Sequence, residues 1–187
     1  MQKETNIQHG LKWGVIIGIV YTLFLFLRYY LGAENPVLLG VFTFTGYLVV
    51  LILLLVSGFQ RRKLSGGYIT LKDAFQTMFV SVIVFELFFA IFNYIYLQYI
   101  NPDFFVSMKN SLEEMMTRSN IDQDRIDEML EKMDTDAAKE LGFVSSLKSF
   151  AFSLVISGIF ALIFALIIRR KKDVFLESDQ PHITGNE

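Results

Sequence analysis

The chain contains no cysteine, and only two histidines and three prolines among its 187 residues. Without thiols it has neither disulfides nor thiolate metal sites. His9 and His182 stand at opposite ends of the sequence and match no metal-ligand spacing. No phosphate-cradling glycine loop is present, since Gly66-Gly67 is an isolated pair in a short turn. The run from Asp122 to Asp127 lacks the turn glycine and the terminal glutamate of a calcium loop. No nucleophile–base pair is recognisable, and no basic patch speaks for nucleic acid. The sequence therefore predicts no cofactor, no nucleic-acid partner and no enzymatic activity.

Charge is also scarce, but only in places. Four apolar stretches run over about 11–31, 36–59, 74–100 and 147–168. Crossing the hydrocarbon takes about 20 apolar residues in a helix. Each stretch meets that length, and open strands cannot face lipid with unpaired backbone groups. The expectation is an all-α integral membrane protein with four transmembrane helices in a single domain. The first stretch is longer than a signal-peptide core, and Arg28-Tyr29-Tyr30 stands where a small-residue cleavage site would be needed. It reads as a retained membrane helix in contact with the bilayer.

The charges that remain are sorted by side. Lys3, Lys12, Arg61, Arg62, Lys63, Lys72, Arg169, Arg170, Lys171 and Lys172 collect at one set of helix ends, whereas the short gap 32–35 carries only Glu34. Basic residues stay on the cytoplasmic face, so both termini are expected there. Tyr29, Tyr30, Tyr94, Tyr96 and Tyr99 would form the outer interfacial belt, with Trp13 and Tyr68 near the inner one. The tail 173–187 is polar and is expected to be disordered.

The segment 101–146 then faces outward, with eleven acidic residues against five basic ones. Its apolar residues recur at helical spacing: Met108, Leu112, Met115 and Met116, then Ile126, Met129, Leu130 and Met133. Two short amphipathic helices are expected, broken at Ser119-Asn120, with Asn120 capping the second and Gln123 in the capping-box position. The methionine-rich stripe either pairs the two helices or presents an adaptable face to a protein partner.

Within the spans, Glu86 stands out. Insertion scales put an acidic residue at a helix centre at about 2.5–3.5 kcal/mol. It should face other helices, together with Ala90 and Asn93 on the same side. Tyr21, Tyr47 and Ser157 lie at matching depth and are candidate partners for it. Arg28 lies about 10 Å further out along its helix, at the level of Asn93, and is expected to reach Asn93 rather than Glu86. Glu86 reads either as a neutral acid tying the bundle together or as a proton- or ion-carrying carboxyl. Gly10, Gly14 and Gly18 share one face of the first helix, and Ser149, Ser153, Ser157, Ala161 and Ala165 share one face of the fourth. Such small-residue faces allow close helix approach, inside the monomer or between copies in a homo-oligomer.

The run Gly66-Gly67-Tyr68-Ile69-Thr70-Leu71-Lys72-Asp73-Ala74-Phe75, continued by Ile95-Tyr96 and Tyr99-Ile100-Asn101-Pro102-Asp103-Phe104, gives the chain a recognisable signature. With the four-span layout it resembles the bacterial membrane family catalogued as domain of unknown function 4199, over about residues 8–172. The resemblance implies a four-helix protein of the bacterial cytoplasmic (inner) membrane with an outward helical segment. It brings no activity, ligand or catalytic residue. The motif also has a local reading. Thr70 caps the third helix, Asp73 sits at its N3 position, and Asn101-Pro102 ends it. The leading functional expectation is a small membrane protein acting through protein–protein contacts. The alternative is a small transporter or channel subunit using Glu86.

Overall fold

The computed structural model describes residues 4–140 and 143–170. Four long helices, α1 (Asn6–Gly32), α2 (Pro36–Leu64), α3 (Leu71–Ile95) and α6 (Phe143–Ile168), alternate in direction, and two shorter ones, α4 (Phe104–Arg118) and α5 (Gln123–Glu140), are inserted before the last. A π-helical turn, Tyr96–Ile100, extends α3. The expected tail 173–187, with Lys3, Lys171, Lys172 and His182, lies outside the described residues.

Each boundary has a local cause. Thr5 and Gln8 form a reciprocal capping box, which starts α1 five residues before the apolar run. Asn35 accepts from the Val37 and Leu38 amides and Pro36 opens α2, where its missing N–H costs nothing. Thr70 accepts from the Asp73 amide at 3.1 Å and donates to the Asp73 carboxylate at 2.7 Å, as its sequence position predicts. Gly66 and Gly67 turn the chain between α2 and α3 with φ of 79° and 86°, a region that other residues rarely enter.

The start of α5 differs from expectation. Asn120 does not cap it; its φ of 53° places it in the left-handed turn after α4. The first α5 bond runs instead from the Ile126 amide to the Asp122 carbonyl. Gln123 donates to Asp127 rather than closing a capping box. An asparagine tolerates the left-handed conformation better than most residues, and here that property wins over capping.

Helix α3 is central and packs against α1, α2 and α6. The glycine face of α1 lies on α3: a Cβ on Gly10 would stand 2.5 Å from the Thr77 carbonyl oxygen, and one on Gly14 2.6 Å from Val84 Cβ. On α6, Ala161 and Ala165 are fully buried. The glycine face of α1 and the Ala161–Ala165 end of the α6 face are thus occupied inside the monomer, while Ser149 at the other end of α6 is exposed.

The outside of the bundle is apolar. Phe44, Leu23 and Phe152 are 74, 62 and 69% exposed, amid a belt of other large apolar side chains. Water would not tolerate so continuous a patch. Four helices, Asn6–Gly32, Pro36–Leu64, Leu71–Ile100 and Leu147–Ile168, are long and apolar enough to cross a membrane. The chain is a multi-pass membrane protein with two helices in the connection before the last span.

Those two helices pair through a core of their own. Met116, Ile126 and Leu130 are buried between them, with Leu112 and Met133 packed alongside. Met108 instead joins the main core, while Met115 and Met129 stay exposed. Most of the methionine-rich stripe therefore serves the pairing of α4 with α5.

Candidate functional site

Glu86 lies on α3 and is 1% exposed. Ser153 and Ser157 both donate to its Oε1, each at 2.7 Å. The two serines are four residues apart on α6, so their hydroxyls stand one above the other on the same face. Phe85 and Val82 bury the neighbouring surface. Serine hydroxyls can donate to the oxygen of a carboxylate or to that of a neutral acid carrying its proton on Oε2. This arrangement accommodates either charge state without moving a side chain.

Of the expected partners, Ser157 reaches Glu86, whereas Tyr21 and Tyr47 turn to each other with ring centroids 5.5 Å apart. Tyr21 also meets Phe85 edge-on at 6.2 Å. Helix α1 presents its glycine and aromatic stripe to α3, and the side of α3 that carries Glu86 faces α6. Ser153 is a partner the sequence reading placed only among the small residues. Its position one turn from Ser157, at the depth of Glu86, was the available signal.

Arg28 does not bond Asn93. The Tyr29 hydroxyl donates to Asn93 Oδ1 instead. The buried stripe of α1 runs through Gly14, Ile17, Gly18, Tyr21, Leu25 and Tyr29, so Tyr29 points at α3 and Arg28 is turned by 100° about the axis. The Arg28 guanidinium lies 5.1 Å from the centre of the Tyr29 ring, and its Nε is buried with no hydrogen-bond partner among the described residues. Arg28, Tyr29, Asn93 and Ser149 line a cavity of about 140 Å³ with Phe89, Ala90 and Phe150.

A second polar cluster was missed. At the end of the bundle that carries the α2–α3 turn, Arg61 Nε donates to Asn6 Oδ1 at 2.8 Å, and Asn6 Nδ2 donates to Asp73 Oδ1 at 2.8 Å. Buried His9 places Nε2 3.2 Å from the Ser57 carbonyl oxygen and Nδ1 3.3 Å from Glu4 Oε2. Arg61, read from the sequence as a surface charge that sets orientation, is 7% exposed and joins α2 to α1. The signal lay in the spacing of Asn6 and His9, which continue the Gly10, Gly14 and Ile17 stripe by one turn. Next to this cluster, Ile69 and Arg170 exchange two backbone hydrogen bonds of 3.1 Å, fastening the end of α6 to the α2–α3 turn.

No curated protein and no solved structure matches the chain. A family model described as "Protein of unknown function (DUF4199)" matches residues 12–170. That span includes α1 from Lys12 onward, the other three membrane helices, the α4–α5 pair, Glu86 and both of its serines. The chain belongs to the DUF4199 family of proteins of unknown function.

Proposed function

We propose that this protein is a non-enzymatic component of the bacterial cytoplasmic membrane, with both termini inside, and that it acts through protein–protein contacts made by its outward α4–α5 hairpin. The observation that carries this reading is the hairpin's separate core of Met116, Ile126 and Leu130. A segment with no task beyond joining two spans has no need of a packed core. Pairing through that core turns the charged faces of both helices outward, α5 with an acidic excess, and leaves Met115 and Met129 exposed among them. Methionines on a surface with an acidic excess suit an adaptable contact with a basic or amphipathic partner. The clustering of basic residues at the opposite helix ends supports the orientation.

A photo-crosslinker placed at Met115 or Met129 in native membranes tests this reading. Crosslinks to another protein are expected, and they should be lost when Glu113, Glu131 and Asp134 are neutralised together. Crosslinking only to lipid at both positions would overturn it.

A second reading rests on the buried carboxyl. Glu86 with its two serines supports a small transporter or channel subunit that moves protons or cations. Under that reading, Glu86→Gln abolishes proton-coupled flux in liposomes while the protein stays folded. Unchanged flux in Glu86→Gln would remove it.

A further inference from the structure

An arginine inside a membrane span pairs with something. Among the described residues, Arg28 makes no ion pair. Glu86 is held by Ser153 and Ser157, and Asn93 Oδ1 by Tyr29. Among the described residues, no acidic side chain lines the cavity that Arg28 shares with Asn93 and Ser149. The cavity is instead lined with donors. With Oδ1 accepting from Tyr29, Asn93 turns its Nδ2 donor group elsewhere, and the Ser149 hydroxyl and the buried, unpartnered Arg28 Nε complete the set. Three donors, one of them on a cation, with no carboxylate among the described lining residues, fit a single anionic group.

The cavity does not stand alone. A groove of about 500 Å³ between α3 and α6 is lined by Leu87, Ile91, Ile95 and Leu147, and it shares Ala90 and Phe150 with the cavity. A polar, cationic pocket thus adjoins an apolar trough across Ala90 and Phe150. Arg28 stands four residues before Gly32 at the end of α1, about 6 Å from the helix end at the usual rise. That is the depth at which a lipid headgroup meets its acyl chains.

We propose that this seam is a binding site for an anionic membrane lipid, with its charged headgroup held by Arg28, Asn93 and Ser149 and one acyl chain lying between Leu87, Ile91 and Leu147. The joined trough distinguishes a lipid from a free anion, which would need only the pocket. The absence of a lining carboxylate among the described residues favours an anionic headgroup over a zwitterionic one, whose ammonium would find no partner among them.

Native mass spectrometry of the full-length protein released from detergent, with phosphatidylglycerol or phosphatidylcholine added, reads the site directly. Phosphatidylglycerol should be retained about tenfold better than phosphatidylcholine. Arg28→Gln should abolish that preference, Arg28→Lys should keep part of it, and Ala90→Phe, which fills the junction of pocket and trough, should weaken retention of both lipids. Circular dichroism reports whether each variant keeps its helices. Should Arg28→Gln lose them, Ser149→Ala at the exposed rim decides, with a reduced preference expected. Equal retention of the two lipids by the unmodified protein overturns the proposal. So does a preference that is unchanged in the folded variants, or displacement of phosphatidylglycerol by inorganic phosphate alone, which would make the pocket a site for free anions.

Discussion

Ser157 donates its hydroxyl to Glu86 Oε1 at 2.7 Å across the α3–α6 interface, and Ser153 donates to the same oxygen from one turn away. One acceptor with two donors has a built-in reserve. Ser157→Ala leaves Ser153 in place and should cost about 1 kcal/mol, the usual net worth of one hydrogen bond. Removing both serines leaves a buried carboxyl without these donors and should cost more than twice the single change. Glu86→Gln keeps an acceptor oxygen and should stay within about 1 kcal/mol of the parent protein. Steric-trapping or thermal unfolding in micelles measures all three. A double variant no worse than the single one would mean that the serines do not carry Glu86.

Glycine tolerance should separate along the helices according to what each glycine faces. Gly10→Ala drives a methyl group into the Thr77 carbonyl oxygen and Val80 Cβ, at 2.5 and 2.8 Å before any relaxation. Backbone cannot step aside as a flexible side chain can, so α1 must lift from α3 and strain the Ser81 hydrogen bond to the Gly10 carbonyl, now 2.9 Å. A loss of about 1–3 kcal/mol is expected. Gly40→Ala meets no atom within 4 Å and should stabilise α2 by up to about 1 kcal/mol through helix propensity alone. The same unfolding measurement compares the pair. Equal effects at the two positions would contradict the α1–α3 packing.

The spans, the helix pair before the last of them and the burial of Glu86 against another helix were all legible in the sequence, because each rests on a pattern of composition or a period of 3.6. The partners of Glu86 were legible only in part. Depth along a helix follows from residue number, so Ser157 was found, but the rotation of one helix against another does not. Tyr21 and Arg28 lie at suitable depths and were misassigned for that reason. Arg61 shows a different limit. Beside Arg62 and Lys63 it has the look of a topogenic charge, and only the approach of Asn6 from α1 reveals it as a buried tie between helices. Asn120 was misread because capping and left-handed turns favour the same residue type.

The sidedness of the protein can be tested with the cysteine-free chain as background. Exposed Thr117, in the last turn of α4, and Ser65, at the end of α2, lie at opposite ends of α3. Ser65 is preferable to Gly66, whose φ of 79° would strain a cysteine. A membrane-impermeant maleimide applied to spheroplasts should label Thr117→Cys at once and Ser65→Cys only after lysis. The reverse pattern would invert the proposed orientation.

The hairpin should open without the bundle. Ile126 is fully buried in the small α4–α5 core, and Ile126→Asp would place a charge there with no partner provided. That core shares no residue with the main one, so the damage should remain local. Limited proteolysis should cut the hairpin at least tenfold faster, by a loss of about 2 kcal/mol or more in local stability, while the unfolding temperature of the spans is unchanged. Equal destabilisation of both would show that hairpin and spans fold as one unit.

On α5, Glu128 accepts from Lys132 Nζ at 2.6 Å, one turn along the helix. The ammonium holds the Glu128 carboxyl below its usual range, and the carboxylate holds the Lys132 ammonium above its own. The signs fix the pH window. A lowered carboxyl contributes stability above its unfolded value and loses it as pH falls through the folded one. A raised ammonium contributes below its unfolded value and loses it as pH rises through the folded one. The pair therefore supports α5 across the neutral range and fails at both ends. Both side chains are exposed, so added salt should weaken the effect throughout. The side-chain carbon shifts of Glu128 followed against pH should show an acid step below the usual carboxyl range, and Lys132→Gln should move that step up toward the usual range and remove the alkaline step. A Glu128 step left in place in that variant would mean that Lys132 does not hold the carboxyl down.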